Sequence, residues 1–486
     1  MRMLARASLL VLLLSLGVSA VSAQEDPLQF PADSYTEETV TVTTSSGEVE
    51  VTYHLYAAIT YVANPVDADY QSMNVKVPVA INGEAIDATN APILFVIPVG
   101  GYMSASVSGA SSGPMRGRPP GGGMGGPGGN TSGVSGSSDL ALAAGYVVVE
   151  AGARGRDNQT ADGTYYGKAP AAIVDLKAAV RYLHYNDAIM PGNADWIVSR
   201  GTSAGGALSA LLGASSDSDL YDSYLEELGA ADASDTIFAV AAYCPITDLE
   251  NADIAYEWVF GSLSSDSELS QLLSASYSEY LATRSLEGAD GYGTLTAENY
   301  ATYLVEHYLS PSATSYLLAL SEDERTAYLE SNPWITWEDD TASFTLEDFA
   351  AHVGRKKSVT AFDALDLSAA ENSLFGNATT EARHFTEFGA EQTGTALDDD
   401  IAALASLMNP MTFINAGSET MPEHWWLRVG SSDSDTSPTV LANLAIALEN
   451  QGNSVDASYY WDAGHGADED PEAFIAWIAE ITGYTP

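Results

Sequence analysis

Five residues of this 486-residue chain, Gly201-Thr202-Ser203-Ala204-Gly205, form a G-x-S-x-G pattern at the centre of residues 196–211, WIVSRGTSAGGALSAL. An apolar run before it and small residues after it read as a strand that turns sharply into a helix. Such a turn holds its central residue in a strained conformation, and small neighbours relieve the crowding. Ser203 is then pushed out at the sheet edge, with the amides and positive end of the helix behind it. A bare G-x-S-x-G is also an ordinary βα turn; the strand before it and the helix after it favour a nucleophile.

Serine is a weak nucleophile until a base takes its proton, and the base works best when a carboxylate fixes its tautomer. In a strand–turn–helix context the order is serine, acid, histidine. Of His54, His184, His307, His352, His384, His424 and His465, only His465 follows the last strand, in WDAGHGADED. His424 precedes its strand, His54 and His184 precede the serine, and the other three read as packing or surface residues. The acid is expected after HWWLRV, where Asp433 and Asp435 both qualify and spacing does not choose between them. Asp248 is a third candidate that reads better as a capping or turn residue. The D-x-D spacing alone is weak evidence for a metal, and neither Asp217/Asp219 nor 398–400 completes a calcium loop, so no metal is expected. The oxyanion of an acyl transfer needs two backbone donors. Ala204, after the nucleophile, supplies one, and Gly101 in PVGGYM is favoured over Gly100 for the other.

The elements that position these residues follow from periodicity. Residues 40–62 alternate around SSGE and read as a hairpin; strands follow at 73–81, before the Asn82-Gly83 turn, and at 93–98. Residues 104–138, rich in Gly, Ser and Pro, read as a mobile solvated loop rather than an active-site flap. A buried strand at 146–150, a helix at 170–185 with Pro170 in its first turn, and the strand before Ser203 make a right-handed parallel crossover. Another strand is expected at 237–243. Residues 251–410 are mainly helical, with capping signals at Ser321…Glu324 and Thr345…Asp348, and read as an inserted cap. Strands at 424–429 and 455–461 and helices at 438–451 and 471–482 close the chain. The expected fold is α/β: a mostly parallel central sheet with helices on both faces, built from 24–250 and 411–486.

Arg2 and Arg6, the apolar run 9–18 and the small residues ending at Ala23 form a secretory signal peptide, 1–23. The formal net charge is −48, two units more negative once Arg2 and Arg6 leave. That surface repels nucleic acid and anionic membranes, neither of which is an expected partner. The single cysteine, Cys244, permits no intramolecular disulfide and reads as a small buried core residue. Nothing in the sequence specifies an oligomeric state.

Several segments together carry a narrower resemblance: KAPAAIVDLKAAVRYL, GTSAGG, AYEWVFG, AFDALD…ENSLFG and HWWLRVGSSDSDT…WDAGHGADEDPEAFIAWI. In this order the chain resembles the α/β-hydrolases, and within them the bacterial tannases, subtype B-like. The resemblance implies Ser203, Asp433 and His465 as the triad. It also implies that Lys357, Glu371 and Asp435 hold the hydroxyls of a galloyl ring, with Lys356 a neighbouring alternative to Lys357. Without it, Lys357 and Glu371 read as solvated cap charges. The implied protein is a secreted serine esterase that cleaves galloyl esters or depsides through an acyl-enzyme, without a cofactor. A feruloyl or other hydroxy-aromatic esterase keeps the same triad, and a noncatalytic binding protein on a hydrolase scaffold is the rival of a different class.

Overall fold

The computed structural model describes residues 26–107, 134–264 and 267–486. The expected signal peptide, 1–23, and most of the glycine-rich stretch lie outside the described residues. The two ends of that stretch belong to the fold: Ala105 bridges Ala153, and a helix begins at Ser137. The expected loop, 104–138, is therefore too long at both ends, because composition does not register backbone pairing or a helix start.

Ten strands form one sheet. The alternating N-terminal segment gives an antiparallel hairpin, β1 (Thr36–Thr44) and β2 (Gly47–Thr60), which continues through β3 (Ser72–Ile81). The short β4 (Glu84–Ala85) pairs with β3 across the Asn82-Gly83 turn. The apolar runs give β5 (Ile93–Ile97), β6 (Val147–Ala151), β7 (Ile197–Thr202) and β8 (Ala239–Tyr243). The later chain contributes two small ribbons, β9 (Glu287–Gly288) with β10 (Gly293–Thr294) and β11 (Thr336–Glu338) with β12 (Thr341–Ser343). It then returns to the sheet as β13 (His424–Gly430) and β14 (Ser454–Tyr460). The order is β1-β2-β3-β6-β5-β7-β8-β13-β14, parallel from β6 onward.

Continuous apolar strands belong in a sheet covered on both faces. Successive side chains alternate between two buried clusters: Leu94, Val148, Val198, Ala241 and Trp426 in one, Ile93, Val149, Ile197, Val240 and Trp425 in the other. Helices Ser137–Ala143 and Pro471–Thr482 cover the first face, with Leu140, Leu142, Phe474 and Ile478 buried there. Helices Ala171–Tyr185, Ala204–Ala214 and Pro438–Asn450 cover the second. Pro170 stands at the N-cap of its helix rather than in the first turn.

The segment between β8 and β13 is largely helical, and both capping signals are realised: Ser321 and Glu324 cap each other reciprocally, and Thr345 accepts from the Asp348 amide. The expected limits of the cap, 250/251 and 410/411, fall inside helices Leu249–Phe260 and Pro410–Ala416. Tyr277, Tyr300 and Leu304 of this segment belong to the same buried cluster as Leu444 and Ile446 of the core. Asn443 joins the two layers, accepting from Tyr300 Oη at 2.5 Å and donating to Tyr277 Oη at 3.1 Å.

The strand order places the functional edge. From β5 the chain moves outward to β6 and then crosses back to β7 on the other side of β5. At such a switch point the loops leave the carboxyl ends in opposite directions and open a crevice. Gly100-Gly101 follows β5 and Ser203 follows β7, so both stand at that crevice.

Candidate active site

Ser203 joins β7 to helix Ala204–Ala214 with φ 62° and ψ −124°, a conformation that costs a non-glycine residue about 1–3 kcal/mol. The Ser203 amide donates to the Tyr243 carbonyl at 2.9 Å, which locks the turn onto β8. Gly201 explains the motif's first glycine: a Cβ there would lie 2.1 Å from the Gly205 carbonyl oxygen. At Gly205 a Cβ would lie 2.8 Å from the carbonyl oxygens of both Ile97 and Val99. The motif thus permits three backbones to meet, and Ser203 is only half-buried.

The loops after β13 and β14 complete a row. His465 Nε2 is 2.8 Å from Ser203 Oγ, and His465 Nδ1 is 2.9 and 3.0 Å from the two oxygens of Asp433. An ionised carboxylate only accepts, so Nδ1 carries the proton and Nε2 is left to accept from the serine hydroxyl. Asp433 also accepts from the amides of Asp435 at 2.6 Å and Thr436 at 2.8 Å. Its side chain is 1 % exposed, against 24 % for His465. Burial disfavours the imidazolium, but the hydrogen bond and charge of Asp433, with the charge of Asp435, outweigh it and hold the His465 pKa above 6.5; Lys357 opposes them.

Cys244 lies beneath this row. Its thiol accepts from the Gly466 amide at 3.2 Å, and its Sγ lies with ligand atoms of Asp433 and His465 inside 4.8 Å. Burial and the Asp433 charge push the thiol pKa far up, so it packs as a neutral group while its neighbours are engaged by the hydrogen bonds above. Asp248 is remote from the row: it accepts from Tyr280 at 2.7 Å, Asn251 at 2.8 Å and Asn409 at 2.7 Å. His424 opens β13 at the opposite sheet edge, and His352 and His384 pair with Asp462 and Asp363.

Asp433 and Asp435 divide their roles by partner. Asp435 pairs with Lys357, Nζ to Oδ1 2.7 Å, while its other oxygen accepts from Ser434 Oγ at 2.8 Å. Burial raises its pKa, but Lys357 and then His465 outweigh that and depress it. Lys356 is exposed, and its ammonium has no partner among the described residues. The Tyr256 hydroxyl accepts from the amides of Lys356 and Lys357 at 2.8 and 3.0 Å and so sets their loop. Glu371, on helix Ala370–Leu374, is 9 % exposed. Burial raises its pKa to about 7 against the opposing charges of Lys357 and Arg156. Asn372 holds that helix, donating to Asp363 at 2.7 Å and accepting from the Ala364 amide at 3.0 Å.

The amides of Ala204 and Gly101 donate to no acceptor among the described residues, as donors kept for a substrate oxygen would.

Residues 131–286 match the family model BD-FAE. The tannase of Fusobacterium nucleatum is 35% identical, covering 93% of this chain and 99% of its own, with a TM-score of 0.77. The native tannin acyl hydrolase of Lactobacillus plantarum is 34% identical over 93% of this chain and 98% of its own, with a TM-score of 0.80. The chain belongs to the bacterial tannase family. It is therefore a carboxylic ester hydrolase with the α/β-hydrolase fold. No curated protein matches it in sequence.

Tannase membership also directs attention to supports that sequence reasoning missed. Tyr256 and Arg156 contact the loops that carry Lys357 and Gly101, and Asp363 the helix that carries Glu371, yet none has a diagnostic spacing. AYEWVFG and AFDALD, the segments that hold Tyr256 and Asp363, were the only signals for them.

Proposed function

We propose that this tannase family member hydrolyses galloyl esters and depsides through a galloyl-enzyme. Ser203 attacks the ester carbonyl while His465 Nε2 accepts its proton, and Asp433 keeps the proton on Nδ1 and stabilises the imidazolium that forms. The developing oxyanion receives the amides of Ala204 and Gly101. The imidazolium then protonates the leaving alcohol or phenol, and water, deprotonated by the same base, releases gallic acid and restores Ser203.

The observation that carries this reading is the continuous row Ser203 Oγ–His465 Nε2 at 2.8 Å and His465 Nδ1–Asp433 at 2.9 Å. The acyl preference rests on Lys357, Glu371 and Asp435: three adjacent phenolic hydroxyls call for a donor and acceptors, which an ammonium and two carboxyl groups supply. Among similar solved structures, tannin acyl hydrolase is known in complex with ethyl gallate, 34% identical to this chain, and with 3,4-dihydroxybenzoate, 35% identical.

The test compares methyl gallate with methyl ferulate in wild type and Glu371→Ala. A large loss confined to gallate supports the reading, because a site built to pair hydroxyls penalises a missing partner. Equal losses on both esters assign the chain to hydroxy-aromatic esters more generally. Inertness of Ser203 to a phosphonate probe sinks the covalent mechanism. We also propose that residues 1–23 direct export and that the mature chain starts at Gln24, which the intact mass of secreted protein checks.

A further inference from the structure

Gly100-Gly101 lacks side chains that could anchor it: Cβ atoms built on either glycine meet nothing within 4 Å, and Gly101 adopts φ +55°. Glycine admits many backbone conformations, so other contacts must orient a donor there. The Met103 amide donates to the Gly100 carbonyl at 3.0 Å, and the Tyr102 hydroxyl donates to the Ile246 carbonyl at 3.1 Å. Two further contacts come from Arg156. Its Nε donates to the Gly101 carbonyl at 2.8 Å and its backbone amide to the Tyr102 carbonyl at 2.9 Å.

Arg156 belongs to a strap, residues 152–169, between β6 and helix Ala171–Tyr185. At its root Arg154 pairs with the fully buried Asp175, Nη2 to Oδ1 2.8 Å. Gly155 lies so close to the oxyanion loop that a Cβ would stand 2.0 Å from the Ser104 amide nitrogen. Asp157 accepts from the Ser104 amide at 2.6 Å and its hydroxyl at 3.0 Å. The far end of the strap rests on the segment carrying Glu371. Lys168 Nζ donates to Ser373 Oγ at 3.0 Å and to the Glu381 carbonyl at 2.9 Å, and the Ala169 amide donates to the Leu374 carbonyl at 3.0 Å. The Nη atoms of Arg156 find no acceptor among the described residues.

We propose that Arg156 is a positioning residue for ester cleavage: its guanidinium pins the Gly101 carbonyl and thereby orients the glycine loop that donates to the oxyanion. The strap is braced independently at Asp175, Ser104 and Ser373, so Arg156 contributes alignment rather than folding. This inference rests on the galloyl-esterase reading. Preorganised donors act through alignment, and loss of one costs about 10²–10³ in kcat; a loop left misaligned for part of the time costs less, about 10–100-fold.

Arg156→Ala and Arg156→Lys are assayed on methyl gallate beside wild type and Ser203→Ala, with melting temperature and the dissociation constant of gallic acid measured in parallel. The expected result for Arg156→Ala is a kcat about 10–100-fold lower, with melting close to wild type and gallic acid affinity changed far less than kcat, because the Arg156 charge also acts on Glu371. Millimolar methylguanidinium chloride should restore part of the rate where sodium chloride does not, and Arg156→Lys should fall between alanine and wild type. If both variants keep wild-type kcat, or the loss lies in KM and product affinity alone, the inference is overturned. Should Arg156→Ala fail to fold, an Arg156→Lys that folds and matches wild type overturns it equally. A wild type inert toward methyl gallate, or an active Ser203→Ala, overturns the underlying reading and this inference with it.

Discussion

Lys357 Nζ lies 2.7 Å from Asp435 Oδ1, joining the helical segment between β8 and β13 to the loop that also carries Asp433. Asp435 Oδ2 is in turn 3.9 Å from His465 Nδ1. Two of the residues proposed to hold the acyl ring therefore form an ion pair beside the imidazole proposed to move the proton. Charge on either partner is felt by His465, and with opposite sign.

That arrangement predicts a pH signature. A general base must be neutral, so kcat/KM falls on the acidic side with the pKa of His465, which lies above the unperturbed 6.5. Asp435→Asn removes a charge that favours the imidazolium and moves this acidic limb to lower pH. Lys357→Met removes an opposing charge and moves it to higher pH. Profiles of kcat/KM on a small ester measure both, and shifts of the same sign would contradict the geometry.

Removal of the row's members should abolish turnover without unfolding the chain. Ser203→Ala and His465→Ala are each expected to lower kcat on methyl gallate by about 10⁶-fold, and Asp433→Asn by about 10⁴-fold. Ser203→Ala should melt with wild type, because only the half-buried hydroxyl is lost. Melting curves separate a lost catalytic group from a lost fold.

Glu250 gives a prediction for stability. Burial first, and the neighbouring Asp248 second, raise its pKa from 4.5 to about 7, with Asn409 and Arg284 opposing them. The folded chain thus retains a proton that the unfolded chain releases from pH 4.5 upward. This contribution to stability falls as pH rises from 4.5 to about 7, and each tenfold difference in proton affinity between the folded and unfolded chains is worth about 1.4 kcal/mol. Glu250→Gln keeps an acceptor for Asn409 and removes the titration. The variant should match wild type near pH 4.5 and melt higher than wild type at pH 8; melting curves across that range check it.

Gly201→Ala tests the elbow. The new methyl would sit 2.1 Å from the Gly205 oxygen, so β7 and the helix after it must separate. The expected cost is about 1–3 kcal/mol, with activity falling further as Ser203 moves. Denaturant unfolding and kcat on the same preparation measure the two effects.

Much of the scaffold was legible because it follows from local pattern. Apolar runs such as VVVEA and AVAAY are long enough for strands and must be covered on both faces. The helical period of residues 171–185 and the capping pairs Ser321/Glu324 and Thr345/Asp348 are equally local. The G-x-S-x-G motif marked the elbow because backbone crowding admits so few residue types there. The limits of 104–138 were less legible, since the Ala105–Ala153 bridge depends on a strand reached only after the stretch ends.

By itself, the sequence determined which residue types stand at the carboxyl ends of the strands: a serine, two aspartates two positions apart, and a final histidine. Spacing left the two aspartates equivalent, and tertiary structure shows the partners that distinguish them. Asp433 is enclosed with two amides and the imidazole, while Asp435 turns to Lys357, seventy-eight positions away in the chain. It also decided that Arg156 meets Gly101 and that Asp363 supports the helix of Glu371. The physical reason is range: periodicity and turn chemistry act over a few residues, whereas hydrogen bonds and charges act between whichever groups the folded chain brings within a few ångströms.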